Sequence, residues 1–411
     1  MGGVKILDKK IVAYYGLPTK VKFCKRCVMS NQRPCSVPEF THTIDQKKPT
    51  LFIDEEGICD ACRYVEMKDR AIDWKQREEE LIQLLEKYRR KDGYYDVIVP
   101  GSGGKDSSKA AHMLKYKYGM HPLTVTWPPH LYTEVGWKNF RNWIDIGGFD
   151  NVTFNPNGKT HRLLTRLSVE NLFHPFQPFI FGQKNLAPKL ALNFKVQLVF
   201  YGENEAEYGN PIAENFIPNR NIGYYSFNKR NLSTIYLGGV SVDKLIDKYR
   251  LTLNDLKPYM PADLKELREA QIDVRYLGYY LKWTPHENYY YAVEHTGFEA
   301  NPQRTEGTFS KYNSLDDKID GLHYWTTYIK FGLGRASYEA SQEIRNHHIT
   351  RKEAVALVHR FDGEFPKKYF NEILKYVSLT EEKFLELADK FRSPHLWEKS
   401  NGEWRLKHKV S

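Results

Sequence analysis

The chain has 411 residues, 41% hydrophobic and 27% charged, a composition typical of a soluble globular protein with room for two or three domains. No apolar run approaches the roughly 18 residues a membrane helix needs. The start, Met1-Gly-Gly-Val-Lys-Ile6, lacks the charged-then-apolar pattern of a secretory signal and fits a myristoylation signal poorly, so a cytoplasmic location without a membrane partner is expected. The formal charge of +10 suits a nucleotide, another polyanion or a nucleic acid without choosing between them.

Residues 1–72 read as loop-rich, with Pro34, Pro38, Pro49 and Gly57 separating short strand-like pieces such as Thr50-Leu-Phe-Ile53. All five cysteines fall here: Cys24, Cys27, Cys35, Cys59 and Cys62. Cys24-Lys-Arg-Cys27 and Cys59-Asp-Ala-Cys62 form two C-x-x-C pairs, and four thiolates in two close pairs suit tetrahedral zinc. Bound metal would supply stability that the few apolar residues of this segment lack. An iron–sulfur cluster is the other occupant such ligands can hold. Cys35 is left over.

A helix is expected from Asp73 to about Lys91, with Leu81, Leu84, Leu85 and Tyr88 at helical spacing and Asp92-Gly93 ending it. Tyr95-Asp-Val-Ile-Val99 has the length and β-branching of a buried strand. A glycine loop follows, then a helix from about Ser107 to Tyr118 and a strand over His121–Trp127. Further strands are expected at Val152–Phe154 and Val196–Tyr201, with a helix around 159–172 between them. This alternation argues for a parallel sheet covered on both faces. From about 241 the chain reads as mainly helical, with helices at Leu245–Leu256, Pro261–Ala270 and Thr380–Phe391. One more opens at the capping box Thr350-Arg-Lys-Glu353 and stops at Asp362-Gly363. The expected division is a metal-binding segment 1–72, a nucleotide-binding domain 73–275 and a mainly helical substrate or partner region 276–411.

The chemistry is concentrated in Pro100-Gly-Ser-Gly-Gly-Lys-Asp-Ser-Ser108. Small residues between a buried strand and a helix let backbone N–H groups approach an anion, and the helix start adds partial positive charge. Ser102 and Ser107 offer hydroxyls and Lys105 a cation. Asp106 would repel a phosphate unless it holds magnesium or orients the loop. Walker A requires a glycine with four residues between it and Gly-Lys, but Val99 stands there, and Asp106 replaces the Ser or Thr after the lysine.

The segment Ser102-Gly-Gly-Lys-Asp-Ser107 resembles the PP-loop of the ATP-pyrophosphatase superfamily. That implies an α/β, doubly wound parallel-sheet domain of the adenine nucleotide alpha hydrolase kind, here with a zinc-ribbon-like N-terminal segment and a helical C-terminal region. It also implies that Ser102, Gly103, Gly104, Lys105, Asp106 and Ser107 bind the pyrophosphate part of ATP, and that a substrate oxygen attacks the α-phosphate. Two kinds of PP-loop enzyme come into view. Zinc knuckles ahead of a PP-loop also occur in tRNA-thiolating enzymes, but those carry sulfur on cysteines or a cluster of the catalytic domain, and no cysteine lies beyond Cys62 here. The longer matches are with the N-acetyl sugar amidotransferase family of the WbpG and PseA type. They are Cys24–Pro34, Gly57–Cys62, Thr126-Trp-Pro-Pro-His130, Gly202-Glu-Asn-Glu-Ala-Glu-Tyr-Gly209, Lys330-Phe-Gly-Leu-Gly-Arg335 and Ile349–Gly363.

This resemblance implies conversion of an acetamido group to an acetamidino group on a nucleotide-linked or sialic-acid-like sugar for O-antigen, capsule or flagellar glycans. ATP, Mg2+ and a structural zinc ion are the implied cofactors. Lys105, Asp106, Glu203 and Glu207 are the candidate catalytic residues, the two glutamates because they follow the fourth expected strand at its carboxyl end. Lys330 and Arg335 are candidates for gripping substrate phosphate or carboxylate. With Gly2 at the second position and four cysteines committed to metal, no glutaminase nucleophile is expected. Ammonia would then come from a separate glutaminase and its cyclase-like partner, and a nucleic acid partner is not expected.

Overall fold

The computed structural model describes residues 12–203, 216–227 and 231–411. Its helices are α1 Asp60–Arg70, α2 Trp74–Tyr88, α3 Lys105–His112, α4 Glu134–Asp145, α5 Gly158–Leu172, α6 Gln177–Phe194, α7 Val242–Tyr249, α8 Leu253–Leu256, α9 Leu264–Glu269, α10 Pro285–Thr296, α11 Asp320–Phe331, α12 Arg335–Arg345, α13 Arg351–Phe361, α14 Phe370–Val377 and α15 Glu381–Phe391. The strands are β1 Val97–Pro100, β2 Pro122–Thr126, β3 Asp150–Thr153, β4 Leu198–Tyr201, β5 Ser226–Phe227, β6 Tyr236–Leu237, β7 Val240–Ser241, β8 Ala262–Asp263, β9 Asp273–Tyr276, β10 Trp397–Ser400 and β11 Glu403–Leu406.

The main sheet has the order β3-β2-β1-β4-β9, with all its pairings parallel. Its inner strands are buried on both faces, as their β-branched and aromatic runs require. Val97, Val99, Leu198 and Phe200 pack with α2 and α3 through Leu81, Leu85, Ala110 and Ala111. Ile98, Val199 and Tyr201 face the other way, onto Ala187 and Ala191 of α6. The sheet is therefore doubly wound. From β1 the chain builds outward through β2 to β3, then returns to place β4 on the other side of β1. That reversal is the switch point where such sheets hold ligands.

Most local signals read as expected. Asp73 caps α2 by accepting from the N–H groups of Lys75 and Gln76, and Thr350 with Glu353 makes the capping box of α13. Other elements differ. The sheet has a fifth strand, β9, and α4 and α6 fill stretches for which the sequence pattern gave no helix. The helix expected over Leu245–Leu256 is broken into α7 and α8, because Arg250 adopts φ +59° at the end of α7. Only Leu264–Glu269 of the next is helical, since Ala262–Asp263 pairs with β5. The C-terminal region closes on the β10–β11 hairpin. The helix after the loop starts earlier, at Lys105, and its end widens into a π turn over Met113–Lys117.

A large core cluster joins Cys24, Cys27, Cys59 and Cys62 to Phe173 at the end of α5 and to α11, α14 and α15 through Ile319, Leu322, Ile373 and Phe384. The cysteine segment therefore buries its apolar surface against both later parts of the chain. Among the described residues no helix is long and apolar enough to cross a membrane.

Candidate active site

The glycine loop leaves β1 at the switch point and lines a cleft of about 320 Å³. Two of its glycines are forced. Gly103 has φ +83°, and a Cβ there would stand 2.7 Å from the Asn139 carbonyl oxygen of α4. A Cβ on Gly101 would stand 2.3 Å from that of Ser107. Gly104 differs, since nothing lies within 4 Å of the place its Cβ would take. It is the N-cap of α3 and has no side-chain cap, so the first N–H groups of the helix point into the cleft without a competing side chain.

Lys105 and Asp106 open α3. The Lys105 ammonium lies 2.7 Å from Asp106 Oδ2, while Trp283 Nε1 and Asn288 Nδ2 donate to Asp106 Oδ1 at 2.9 and 2.6 Å. Burial alone would push this carboxyl up, but the lysine charge and the donated hydrogen bonds hold it below the ordinary aspartate range. Ser107 Oγ donates to the Gly104 carbonyl at 3.0 Å, and Ser102 Oγ donates to Asp316 Oδ2 at 2.8 Å.

Asp316 belongs to an acidic run, Asp316-Asp-Lys-Ile-Asp320, that forms the wall opposite the loop. Asp317 accepts from the backbone and Nδ1 of His130 at 2.7 and 2.9 Å and from the Ile319 N–H at 3.0 Å. Asp316 and Asp320 are less well served. Burial pushes Asp316 up, with Asp317 adding to the rise against the pull of Ser102. Burial, then Asp316 and Asp317, push Asp320 far up, and its Oδ2 is buried without a hydrogen-bond partner. Two crowded carboxylates, one with an orphaned oxygen, match what a hard divalent cation binds.

The run is held against α4. The Thr133 N–H, at the α4 cap, donates to the Asp316 carbonyl at 3.0 Å. A Cβ on Gly136 would lie 2.4 Å from the Asp316 Cα, so only glycine permits this approach. Elsewhere the cleft is apolar through Val125, Trp127, Phe179 and Leu186, and Arg220 lies at its edge 4.1 Å over the Tyr201 ring. The lining thus pairs anion donors with a carboxylate wall and a flat apolar face.

Of the residues expected from the sequence, the loop, Glu203 and Arg335 line this one cleft. Arg335 Nε donates to Glu339 Oε1 at 2.7 Å. Glu207 lies outside the described residues. Lys330 lies away from the cleft lining. Its ammonium donates to the Leu172 carbonyl at 2.9 Å, and burial, with help from Lys48, pulls it down to about 7. Asp316, Asp320, Trp283, Asn288 and Arg220 were not singled out from the sequence, although three acids within five residues was a usable signal at 316–320.

The four paired cysteines converge. Cys24 and Cys62 sulfurs are 4.0 Å apart and those of Cys27 and Cys59 3.7 Å, all fully buried. A tetrahedral zinc with bonds of ~2.3 Å puts its sulfurs ~3.8 Å apart. Arg26 and Cys59 N–H groups both approach Cys24 Sγ at 3.4 Å, which would steady a thiolate. Cys59 caps α1 and so sits at a helix start, a position the sequence did not suggest. Cys35 is buried apart from this group.

Residues 306–411 match the model of a family described as LPS biosynthesis protein WbpG-like, C-terminal domain. This segment is similar to that domain. The match bears out the sequence resemblance, and it covers the acidic run, Tyr312 and Arg335 of the cleft lining. No curated protein matches the chain. Among solved structures, an NH3-dependent NAD synthetase from Campylobacter jejuni is 14% identical over 46% of this chain and 78% of its own, at a TM-score of 0.28. An NMN synthetase from Francisella tularensis is 16% identical over 49% and 85%, at 0.26. An NAD+ synthetase from Burkholderia pseudomallei is 14% identical over 57% and 92%, at 0.25. At scores this low the fold rests on the sheet order and the loop of this chain. The phosphate loop on the doubly wound sheet thus faces, across one cleft, the segment that is similar to the WbpG-like C-terminal domain.

Proposed function

We propose that the chain is an AMP-forming amidotransferase acting on the acetamido group of a bacterial nucleotide-linked or sialic-acid-like sugar. The observation that carries this reading is the cleft itself, whose one wall is Ser102–Ser107 and whose other wall lies in the WbpG-like segment. An amide carbonyl is a poor electrophile, so its oxygen must become a leaving group. That oxygen attacks the α-phosphate, pyrophosphate departs, and an O-adenyl imidate forms. Ammonia adds to the imidate carbon, a proton is lost, and AMP leaves carrying the former amide oxygen. The product is an acetamidino sugar.

In this scheme the α3 N–H groups, Gly103, Gly104, Ser102 and Ser107 hold the departing pyrophosphate, and Lys105 offsets its growing charge. Asp106, fixed by Trp283 and Asn288, aims that ammonium. Glu203 borders the cleft and is the group we assign to taking the proton that the ammonia sheds. Arg335 is assigned to an anionic group of the sugar. Magnesium would be held by Asp316 and Asp320, whose crowding supports it, and would screen the triphosphate when bound. The four-cysteine cluster is assigned a structural zinc ion.

The burial of Cys35 and the clustering of the other four cysteines support ammonia arriving from a separate glutaminase with a cyclase-like partner. The same cysteine placement speaks against tRNA thiolation, which needs a sulfur carrier beside the loop. Mass spectrometry of a reaction with ATP, an ammonium salt and a diacetamido sugar nucleotide tests the reading. Replacement of one oxygen by NH in the sugar is expected. Unchanged sugar across a panel of such nucleotides, with thiolated tRNA formed instead, would establish the other reading.

A further inference from the structure

A second group of metal-ligating atoms lies outside the cleft. His286 stands in the first turn of α10, Glu343 in the last turn of α12, and His348 in the connection from α12 to α13. Their ligand atoms converge: His286 Nδ1 and His348 Nδ1 are 2.9 Å apart, and Glu343 Oε2 lies 3.2 and 2.7 Å from them respectively. Glu343 is buried, while the two imidazoles reach partly into solvent. Tyr312 approaches the other carboxylate oxygen, Oε1, at 3.5 Å.

Around an ionised Glu343 carboxylate, protons do not satisfy this triangle. If both Nδ1 atoms carry hydrogen to donate to the carboxylate, two N–H groups face each other at 2.9 Å. If either hydrogen is absent, that nitrogen turns a lone pair onto the negative oxygen. Around an ionised carboxylate, the arrangement that leaves no repulsive pair is two neutral imidazole lone pairs and a carboxylate lone pair all aimed at a shared cation. Tetrahedral zinc with bonds of about 2.1 Å sets its ligand atoms ~3.4 Å apart, so the three need only spread by about 0.2 to 0.7 Å.

We propose that His286, Glu343 and His348 bind a divalent transition-metal ion, zinc being the best match to two imidazoles and one carboxylate, with its remaining position open to solvent. The site has a mechanical consequence. It ties α10, whose Asn288 holds Asp106 of the phosphate loop, to α12, whose Arg335 lines the opposite wall. The metal is a clamp across the two halves of the cleft, and His286, Glu343 and His348 are positioning residues. This inference stands independently of which sugar, or which reaction, the cleft serves.

The test counts metal on the full chain. Wild type and His286→Ala/His348→Ala are dialysed to equilibrium against excess free zinc, and bound zinc is measured per chain. The variant is expected to hold one zinc fewer, with the four-cysteine zinc retained as an internal report that the fold survives. Cobalt titration of protein carrying one zinc per chain, held by the four cysteines, gives a second readout with Glu343→Gln, a near-isosteric change. Wild type is expected to develop visible ligand-field bands without thiolate charge transfer, and Glu343→Gln to lose them. Equal zinc content in wild type and the double variant, or cobalt spectra indifferent to Glu343→Gln, would overturn the proposal.

Discussion

Lys105 and Asp106 share one ion pair at the head of α3, but Asp106 is also fixed by Trp283 and Asn288. Lys105→Met is therefore expected to lower pyrophosphate release by about a hundredfold or more, the usual loss when one charge-stabilising donor is removed. A steady-state pyrophosphate assay at saturating ATP reads this, and a change within twofold would remove Lys105 from the chemistry. Asp320 gives a sharper pH test. Its folded pKa is raised by burial and by Asp316 and Asp317, so the metal-free protein loses stability as pH rises from the ordinary aspartate value toward the folded one. Asp320→Asn is expected to raise the melting temperature of metal-free protein at neutral pH and to abolish any stabilisation by Mg2+. An unchanged melting temperature with Mg2+ response intact would place the cation elsewhere. These two sites differ in how well the sequence revealed them. The loop was legible because backbone approach to phosphate demands small residues in one unbroken run. The acids at 316–320 were less so: their clustering was a signal, but nothing local tied it to the loop until the chain returned them there from about two hundred positions away.

At the scale of elements, α4 and the acidic run meet at Gly136, where a Cβ would fall 2.4 Å from the Asp316 Cα. Gly136→Ala must push the run toward the loop or break the Thr133 contact, at a cost of about 1–3 kcal/mol. Thermal unfolding should show the loss, and the KM for ATP should rise with it. A neutral substitution would mean that the wall is free to move. The strands β1, β2 and β4 were legible from β-branched runs, and α13 from its capping box. The helix α6 was hidden, since it is apolar on most sides and carries Gly182 and Pro188, which read as breaks. Gly182 in fact makes room for Trp127, whose ring would be 1.9 Å from a Cβ there. The segment Lys330-Phe-Gly-Leu-Gly-Arg335 illustrates the opposite error. Gly332, at φ +69°, ends α11 and Gly334 starts α12, so the glycines turn the chain, and the flanking charges part company. Arg335 reaches the cleft and Lys330 goes to the core.

At the scale of the molecule, buried histidines set the response to acid. His161 is pulled down to about 2 by burial and His130, and His395 to about 4 by burial, His408 and Lys407. Burial also holds His174 well below its ordinary value. Groups depressed on folding stabilise fully above their unfolded pKa, so stability is lost as pH falls below about 6.5. Each such histidine costs about 2 kcal/mol by pH 5, enough for three to outweigh the opposite trend of Asp320. Melting temperatures at pH 7 and pH 5 check this, and equal values would contradict it. The four-cysteine cluster works at the same scale, because its residues share one core with α5, α11, α14 and α15. Cys59→Ser is expected to release metal and to unfold the chain as a whole, visible as loss of near-ultraviolet circular dichroism. The central claim concerns the fate of one oxygen atom. A diacetamido sugar nucleotide labelled with heavy oxygen in its acetamido groups is incubated with the protein, ATP and an ammonium salt, and the AMP is weighed by mass spectrometry. Adenylation of the amide predicts one heavy oxygen in the phosphate of every AMP formed. AMP without label, released as fast without the sugar as with it, would contradict it.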